Sequence, residues 1–138
     1  MNLGKIVLIA AVPLFLIGCS TLKNINVGND FEKDSKAYLQ LVRWHELESA
    51  MTTYVSASVQ EEYRKKITAA GEVLVVDYRV KSMECDPVKG EASLKAELDY
   101  YRPPSVTVKT VVDNQKWSYE GEDDARFWRL KTTLPDFK

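Results

Sequence analysis

The residues best suited to nucleophilic or metal chemistry are few. The 138-residue chain has two cysteines, Cys19 and Cys85, and one histidine, His45. A Ser/His/Asp or Cys/His catalytic arrangement would have to use His45, and a structural zinc site needs about four ligands, mostly from cysteine and histidine. The sequence therefore predicts no metal site, and it contains no phosphate-binding loop or other cofactor motif. We assign no catalytic residue and expect His45 at the solvent edge of a helix.

Glu48 is a candidate for acid–base chemistry because of its position. It falls inside an apolar helical stripe, between Trp44 and Met51. Burial in such a stripe would raise the carboxyl pKa and allow Glu48 to act as a general acid or to hold a cationic ligand. The alternative is that Glu48 lies at the edge of the stripe and pairs with an arginine of the sheet. Together with Tyr78 of a predicted strand, these residues form our candidate pocket.

A second group of charges lies on two predicted strands. Asp77 and Arg79 share one strand face, and Glu97 and Asp99 lie on the neighbouring strand. Cross-strand ion pairs on a solvated face account for these charges, and such exposed pairs are worth under about 1 kcal/mol. The alternative is that Asp77 serves as the acid or base of an enzyme.

The N-terminal segment carries the most specific signal in the chain. Lys5 is followed by the apolar run "IVLIAAVPLFLIG", which ends at Cys19. The run has about a dozen residues, too few for a membrane-spanning helix, which needs about 20. This pattern is typical of a secretory signal peptide over residues 1 to 18; the alternative is an uncleaved anchor.

The last residues of this run, Leu16 to Cys19, resemble the lipobox of bacterial lipoproteins. The resemblance implies cleavage between Gly18 and Cys19 and attachment of a diacylglycerol to the Cys19 thiol. Several acyl chains together make the membrane anchoring effectively permanent. Ser20 follows the cysteine where the family's inner-membrane retention signal has aspartate, which implies the outer membrane, with the domain on its periplasmic face.

Residues 19 to 138 form a mature chain of one domain. Without Lys5 it has 18 basic and 20 acidic side chains, which are interspersed. This balance disfavours nucleic-acid binding. Because Cys19 is committed to the lipid, Cys85 has no partner for an intramolecular disulfide. We expect Cys85 to be a partly buried small residue near a strand end; the alternatives are an intermolecular disulfide or a reactive thiol.

Between Cys19 and Gly71 the sequence predicts a tether followed by two helices. Residues 19 to 33 are polar, include Gly28, and indicate a flexible tether, so that the domain spans residues 34 to 138. Apolar residues at three-and-four spacing predict one helix from Asp34 or Ser35 to about Val55. A second helix is predicted from Ser58, which forms a capping box with Glu61, to Gly71.

After Gly71 the hydrophobic period changes from 3.6 to 2. Strands are predicted over "VLVVDYRVKSM", "EASLKAELDYY", "VTVKTVVDNQKWSYE" and "ARFWRLKTTL", with a bend or bulge in the third near Asp113 and Asn114. The segment "DPVKG" predicts a hairpin turn. We therefore expect an α+β fold in which two helices pack on a curved, four-stranded antiparallel sheet.

This element order, with the closing pattern "QKWSY…FWRLKTTLPDF", resembles the NTF2-like folds and, as second choice, the cystatin-like folds. Many NTF2-like chains have a third helix and an extra strand, neither of which is evident here. The two resemblances leave three functions open. The first is a lipid-anchored, non-catalytic binding module whose partner is another envelope protein or a second copy, with Tyr101 and Trp128 as the candidate partner surface. The second is an NTF2-like pocket enzyme, with Glu48 or Asp77 as acid or base, or a carrier of a small apolar ligand. The third is a structural lipoprotein that supports a larger assembly.

Overall fold

From residue 18 onward, three α-helices precede four strands in an α+β fold. The computed structural model describes the backbone of residues 18 to 138 and the side chains of residues 22 to 138. Its elements are α1 (Gly18–Arg43), α2 (Leu47–Tyr54), α3 (Gln60–Ala70), β1 (Leu74–Asp86), β2 (Glu91–Tyr101), β3 (Lys109–Glu120) and β4 (Phe127–Leu130). The strands form one antiparallel sheet in the order β1-β2-β3-β4, as predicted. Apart from Gly18, the predicted signal peptide lies outside the described residues, as does the side chain of Cys19.

Helix α1 replaces most of the predicted tether. It runs without interruption through residues 19 to 33, where we expected flexible chain. Val27 and Phe31 of this segment are buried, in line with Tyr38 and Val42 further along the helix. The tether prediction is therefore wrong for the described part of this segment, because its few apolar residues continue the buried face of α1 toward the N-terminus.

The predicted first helix is broken after Arg43. His45 has a φ of 60°, in the left-handed region. The His45 N–H bonds to the Val42 carbonyl at 3.1 Å and the Glu46 N–H bonds to the Leu41 carbonyl at 2.8 Å. This pair of bonds is the Schellman motif, in which the left-handed position is usually glycine. A histidine in that place gave no sequence signal for a helix end.

Substituting His45→Gly is expected to raise the free energy of unfolding by a few tenths to about 1 kcal/mol. Glycine adopts a positive φ without the steric cost that a Cβ imposes, although it also adds entropy to the unfolded chain. Urea unfolding followed by circular dichroism measures the change. His45→Ala retains the Cβ and is the control; equal stability of the two variants would contradict a strained left-handed turn.

Helix α3 begins later than predicted. Its N-cap is Val59, and no side chain caps the helix. Ser58 lies instead 3.3 Å from the Ser56 hydroxyl and accepts a hydrogen bond from Lys131 at 3.3 Å. The predicted capping box is therefore wrong. The predicted end is confirmed at Gly71, which has a φ of 61°.

The sheet follows the predicted alternation most closely in β2, whose even-numbered residues are buried from Ala92 to Tyr100. The turn before β2 is closed by the Gly90 N–H, which bonds to the Asp86 carbonyl at 2.9 Å. Register shifts occur in β1, at Val75/Asp77 and Val80/Ser82. The pairing of β3 with β2 continues through residues 113 and 114, so the bulge predicted there is absent.

Aromatic side chains fill the space between the helices and the sheet. The Phe31 ring lies 5.9 Å from Trp117 and 5.1 Å from Trp128, measured between ring centroids. Tyr38 packs edge-on against Trp117 at 5.7 Å. The N-terminal half of α1 is thereby joined to the last two strands of the sheet.

Candidate functional site

Asp113 is the one carboxylate that the fold buries among the side chains described. It lies on β3, faces the helices and is 3% exposed. On the same strand face are Gln115 and Trp117, since alternate residues of a strand point the same way. The Gln115 Nε2 donates to Asp113 Oδ2 at 2.7 Å, and the Trp117 Nε1 donates to Gln115 Oε1 at 2.9 Å. Gln115 thus links the buried carboxyl to the aromatic core.

Two buried tyrosines lie above this strand. The hydroxyls of Tyr38, from α1, and Tyr63, from α3, are 2.8 Å apart and form a hydrogen bond. Burial raises the pKa of both phenols, and the nearby Asp113 charge acts in the same direction. The two hydroxyls therefore stay protonated and connect the helices to each other.

The environment of Asp113 favours its protonated form. Burial raises the pKa of the Asp113 carboxyl to about 6, and the hydrogen bond from Gln115 acts in the opposite direction. Within residues 22 to 138, no cation forms an ion pair with it. Asp113, Tyr38 and Tyr63 are all buried, and among the described residues no hydrogen bond joins the Asp113 carboxyl to either tyrosine hydroxyl.

Sequence reasoning did not select Asp113 as a site residue. The expected irregularity near Asp113 and Asn114 would have broken the inward and outward alternation. A regular period of two counted back from Trp117 makes Gln115 and Asp113 face inward. This alternation was the sequence signal that could have identified Asp113 and Gln115 as inward-facing, hydrogen-bonded residues.

The four residues of the candidate pocket do not line one cavity. Trp44 is 64% exposed and Glu48 also faces solvent, whereas Met51 is fully buried in the core. Tyr78 is half-buried on β1. The turn at His45 separates Trp44 from the face of α2 that carries Met51, so the predicted continuous stripe does not form.

Neither interpretation of Glu48 agrees with its position. The side chain is exposed in the first turn of α2, so it is not a carboxylate enclosed by apolar groups. Within the described residues it also forms no ion pair with an arginine of the sheet. A carboxylate in the first helical turn interacts favourably with the helix dipole, which is a structural role.

Of the two residues in the predicted partner surface, one is buried and the other is partly exposed. Trp128 is buried, and its Nε1 donates to the Val27 carbonyl of α1 at 2.9 Å. Tyr101 is partly exposed at the end of β2. Trp128 is therefore a core residue, and the two aromatic side chains do not form an exposed patch.

The charges on the outer sheet face form the predicted ion pairs. Arg79 contacts both oxygens of Asp99, at 2.6 and 3.0 Å, and donates to Glu97 at 3.0 Å. Hydrogen bonds from Arg79 and Thr110 lower the pKa of Asp99 to about 2. Asp77 takes no part in these contacts, since its carboxylate accepts from the Tyr78 N–H. This cluster holds β1 to β2.

Cys85 is a partly buried residue one position from the end of β1. Burial raises the pKa of its thiol, and the Asp86 charge acts in the same direction. Both effects keep the sulfur protonated and less reactive. This agrees with the structural role that we expected.

A cleft of about 500 Å³ lies between the N-terminal part of α1 and the turn that joins β3 to β4. Leu22 and Lys23 are on one side, and Asp123 and Arg126 are on the other. Gly121 shapes the turn, because a Cβ there would lie 2.5 Å from the Ala125 carbonyl oxygen. No sequence pattern pointed to this cleft, since it depends on where α1 begins.

The residues that the structure describes contain neither a group of metal ligands nor a helix suited to crossing a membrane. Within them, no three histidine, cysteine, aspartate or glutamate side chains come together in a way that could hold a metal ion. His45 is exposed, as expected. Over residues 18 to 138, no helix combines the length and apolar character that crossing a membrane requires.

Comparison with known proteins adds no family assignment. No family model matches the chain, and no curated protein sequence matches it. A functional conclusion therefore rests on the residues and the geometry described above.

Proposed function

We propose that this is a bacterial cell-envelope lipoprotein, anchored through acylated Cys19 at the periplasmic face of the outer membrane and working by binding. The observation that carries the proposal is the sequence from Leu16 to Cys19, which follows a short apolar run and a single basic residue, Lys5. Its partner is another envelope component or a second copy of the chain.

The start of α1 supports a short connection between anchor and domain. The helix runs from Gly18, and Val27 is the first buried residue among the side chains described. At about 1.5 Å of rise per residue, Val27 lies only about 12 Å along the helix axis from Cys19. An acylated Cys19 would hold this end of the domain against the bilayer, without a flexible spacer.

A binding role fits the interior better than catalysis or transport of an apolar ligand. Phe31, Trp117 and Trp128 occupy the space between helices and sheet in which an NTF2-like cone would hold its ligand. Asp113 and its tyrosine neighbours are enclosed. For the fold itself we favour the NTF2-like type over the cystatin-like type, because three helices cover one face of an antiparallel meander.

The substitution Cys19→Ala tests the anchor. The variant is expected to accumulate as a precursor that still carries residues 1 to 18 and takes up no radioactive palmitate, because the other thiol, Cys85, is far in sequence from the cleavage site. Mass spectrometry and acyl labelling in a bacterial host measure both properties.

Cys85→Ala is the matched control for this experiment. It removes the other thiol of the chain and should be processed and labelled like the unchanged protein. Normal maturation and labelling of Cys19→Ala would reject the lipoprotein proposal.

A further inference from the structure

The cleft beside the N-terminal part of α1 is lined by charges of both signs. Lys23 and Asp30 come from α1, whereas Asp123, Asp124 and Arg126 come from the β3–β4 turn. On the outer face of the sheet, Arg79 forms ion pairs with Glu97 and Asp99. Among the described side chains, none of the five cleft charges forms an ion pair.

Arg126 is held at the wall of this cleft by Tyr119. The guanidinium carbon lies 4.5 Å from the centre of the Tyr119 ring, and Nη2 donates to the Tyr119 carbonyl at 3.0 Å. This leaves other N–H groups of the guanidinium free of protein hydrogen bonds in the described structure. A guanidinium orients well toward phosphate oxygens, because its N–H groups form a planar fork.

The cleft lies close to Cys19 because both lie at the N-terminal part of α1. Lys23 is four residues after Cys19 on the same helix, which is about 6 Å along the helix axis. If Cys19 is acylated, as the proposed function requires, the cleft lies at the level of the lipid headgroups. Leu22, which is exposed and also lines the cleft, would then contact the boundary of the acyl chains.

We propose that this cleft binds the phosphoethanolamine headgroup of a membrane phospholipid. Lys23 and Arg126 contact the phosphate, and the carboxylates of Asp30, Asp123 and Asp124 accept hydrogen bonds from the ammonium group. The inference deepens the proposed function by naming a membrane component that the anchored domain recognises, and its location at the bilayer rests on that function.

The charge count selects this headgroup over others. Three carboxylates outnumber the two cations, which disfavours a headgroup with only negative charge such as phosphoglycerol. Choline has no N–H to donate to the carboxylates, and its recognition relies on open aromatic faces. The aromatic ring in this cleft, Tyr119, is already covered by Arg126.

The test is a titration of the full-length protein in a non-ionic detergent with glycerophosphoethanolamine, followed by NMR of the backbone amides. We expect saturable shifts at the cleft residues and binding at least fivefold weaker for glycerophosphoglycerol and glycerophosphocholine. Lys23→Gln and Arg126→Gln are each expected to weaken binding of glycerophosphoethanolamine about fivefold, as loss of one charged contact at a partly exposed site does.

Two exposed residues of α1 outside the cleft provide matched controls. Lys33→Gln removes a lysine charge from the helix that carries Lys23, and Arg43→Gln removes an arginine charge as Arg126→Gln does. Both controls should leave binding of glycerophosphoethanolamine unchanged. The double variant Asp123→Asn with Asp124→Asn should lose the preference for glycerophosphoethanolamine over glycerophosphoglycerol. Arg126 also contacts Tyr119, so Arg126→Gln could change the structure of the turn and shift amide signals throughout the spectrum. In that case the affinity of Lys23→Gln is the test of the headgroup site.

The possible results distinguish failure of the headgroup site from failure of the lipid anchor at Cys19. Absence of shifts in protein whose Cys19 carries the acyl label overturns the headgroup site alone. Saturable binding in protein that lacks the label supports the headgroup site and overturns the anchor. Equal binding of all three glycerophosphodiesters, or equal loss in Lys33→Gln and Lys23→Gln, would also overturn the headgroup site.

Discussion

Replacing Phe31 with alanine is expected to lower the free energy of unfolding by about 3 to 5 kcal/mol. Phe31 is fully buried and its ring contacts both Trp117 and Trp128. Truncation removes these contacts and leaves a cavity between rigid aromatic neighbours, which cannot close around it easily. Urea unfolding at neutral pH, followed by tryptophan fluorescence and by circular dichroism, measures the change.

Ile25→Ala is the control for Phe31→Ala. It truncates an apolar side chain in the same part of α1, but this side chain is 53% exposed, so a change under about 0.5 kcal/mol is expected. Two equally small effects would mean that the segment before Asp34 contributes nothing to the core. That result would restore the flexible tether that the sequence indicated.

The strands were the most predictable part of the fold, because their evidence is local. In β2 the period of two persists for the whole strand, and its predicted bounds, Glu91–Tyr101, agree with the structure. The turn before it contains Asp86, whose carboxylate accepts hydrogen bonds from the Val88 and Lys89 N–H groups. These short-range contacts can be recognised from the sequence alone.

The start of α1 could not be predicted in the same way. Among the side chains described in its N-terminal part, from residue 22 to residue 31, Val27 and Phe31 are the buried apolar ones, and both contact Trp128, about a hundred residues later in the chain. Tertiary packing stabilises this helix more than its intrinsic propensity does. The helix end at His45 was equally hidden, because a residue other than glycine occupies the left-handed position.

The candidate site shows the same limit. Glu48 is a candidate acid only if one helix continues through Trp44 and Met51, and the turn at His45 breaks that helix. The buried carboxylate is instead Asp113, enclosed by residues of α1, α3 and its own strand. Long-range assembly of those elements decides which carboxylate loses its contact with water.

The substitution Asp113→Asn is expected to change how stability depends on pH. In the folded protein the pKa of this carboxyl is raised from 3.8 to about 6 by burial, so the folded state binds the proton more tightly than the unfolded state does. A carboxyl pKa raised in this way lowers stability progressively as the pH rises from the unfolded pKa of 3.8 to the folded pKa of about 6. The full loss is present above the folded pKa, and there is no effect below the unfolded pKa. The unfolding free energy of the unchanged protein should therefore gain about 2 kcal/mol from this group as the pH falls from 6 to 4.

Asparagine at position 113 cannot ionise, so the variant should lack this gain. Its side-chain oxygen can still accept the hydrogen bond from Gln115, but its NH2 group needs an acceptor, and this adds an offset that does not depend on pH. The decisive quantity is the difference in unfolding free energy between variant and unchanged protein, measured by urea unfolding from pH 4 to pH 7. We expect this difference to move in favour of the variant by about 2 kcal/mol as the pH rises from 4 to 7, chiefly between about pH 4 and pH 6.

Asp99→Asn distinguishes this effect from general acid titration. The pKa of Asp99 is lowered to about 2 by Arg79 and Thr110, so its contribution to stability is present above about pH 4 and is lost as the pH falls toward 2. Asp99→Asn should therefore alter the profile below pH 4 and leave the slope between pH 4 and pH 6 intact. If Asp113→Asn left that slope intact as well, the Asp113 carboxyl would have to be ionised in the folded core, and a cation or water contact would be needed to stabilise it there. A lost slope would instead mean that the helices α1 and α3 pack most firmly on the sheet when Asp113 is neutral, with Tyr38 and Tyr63 bonded above it.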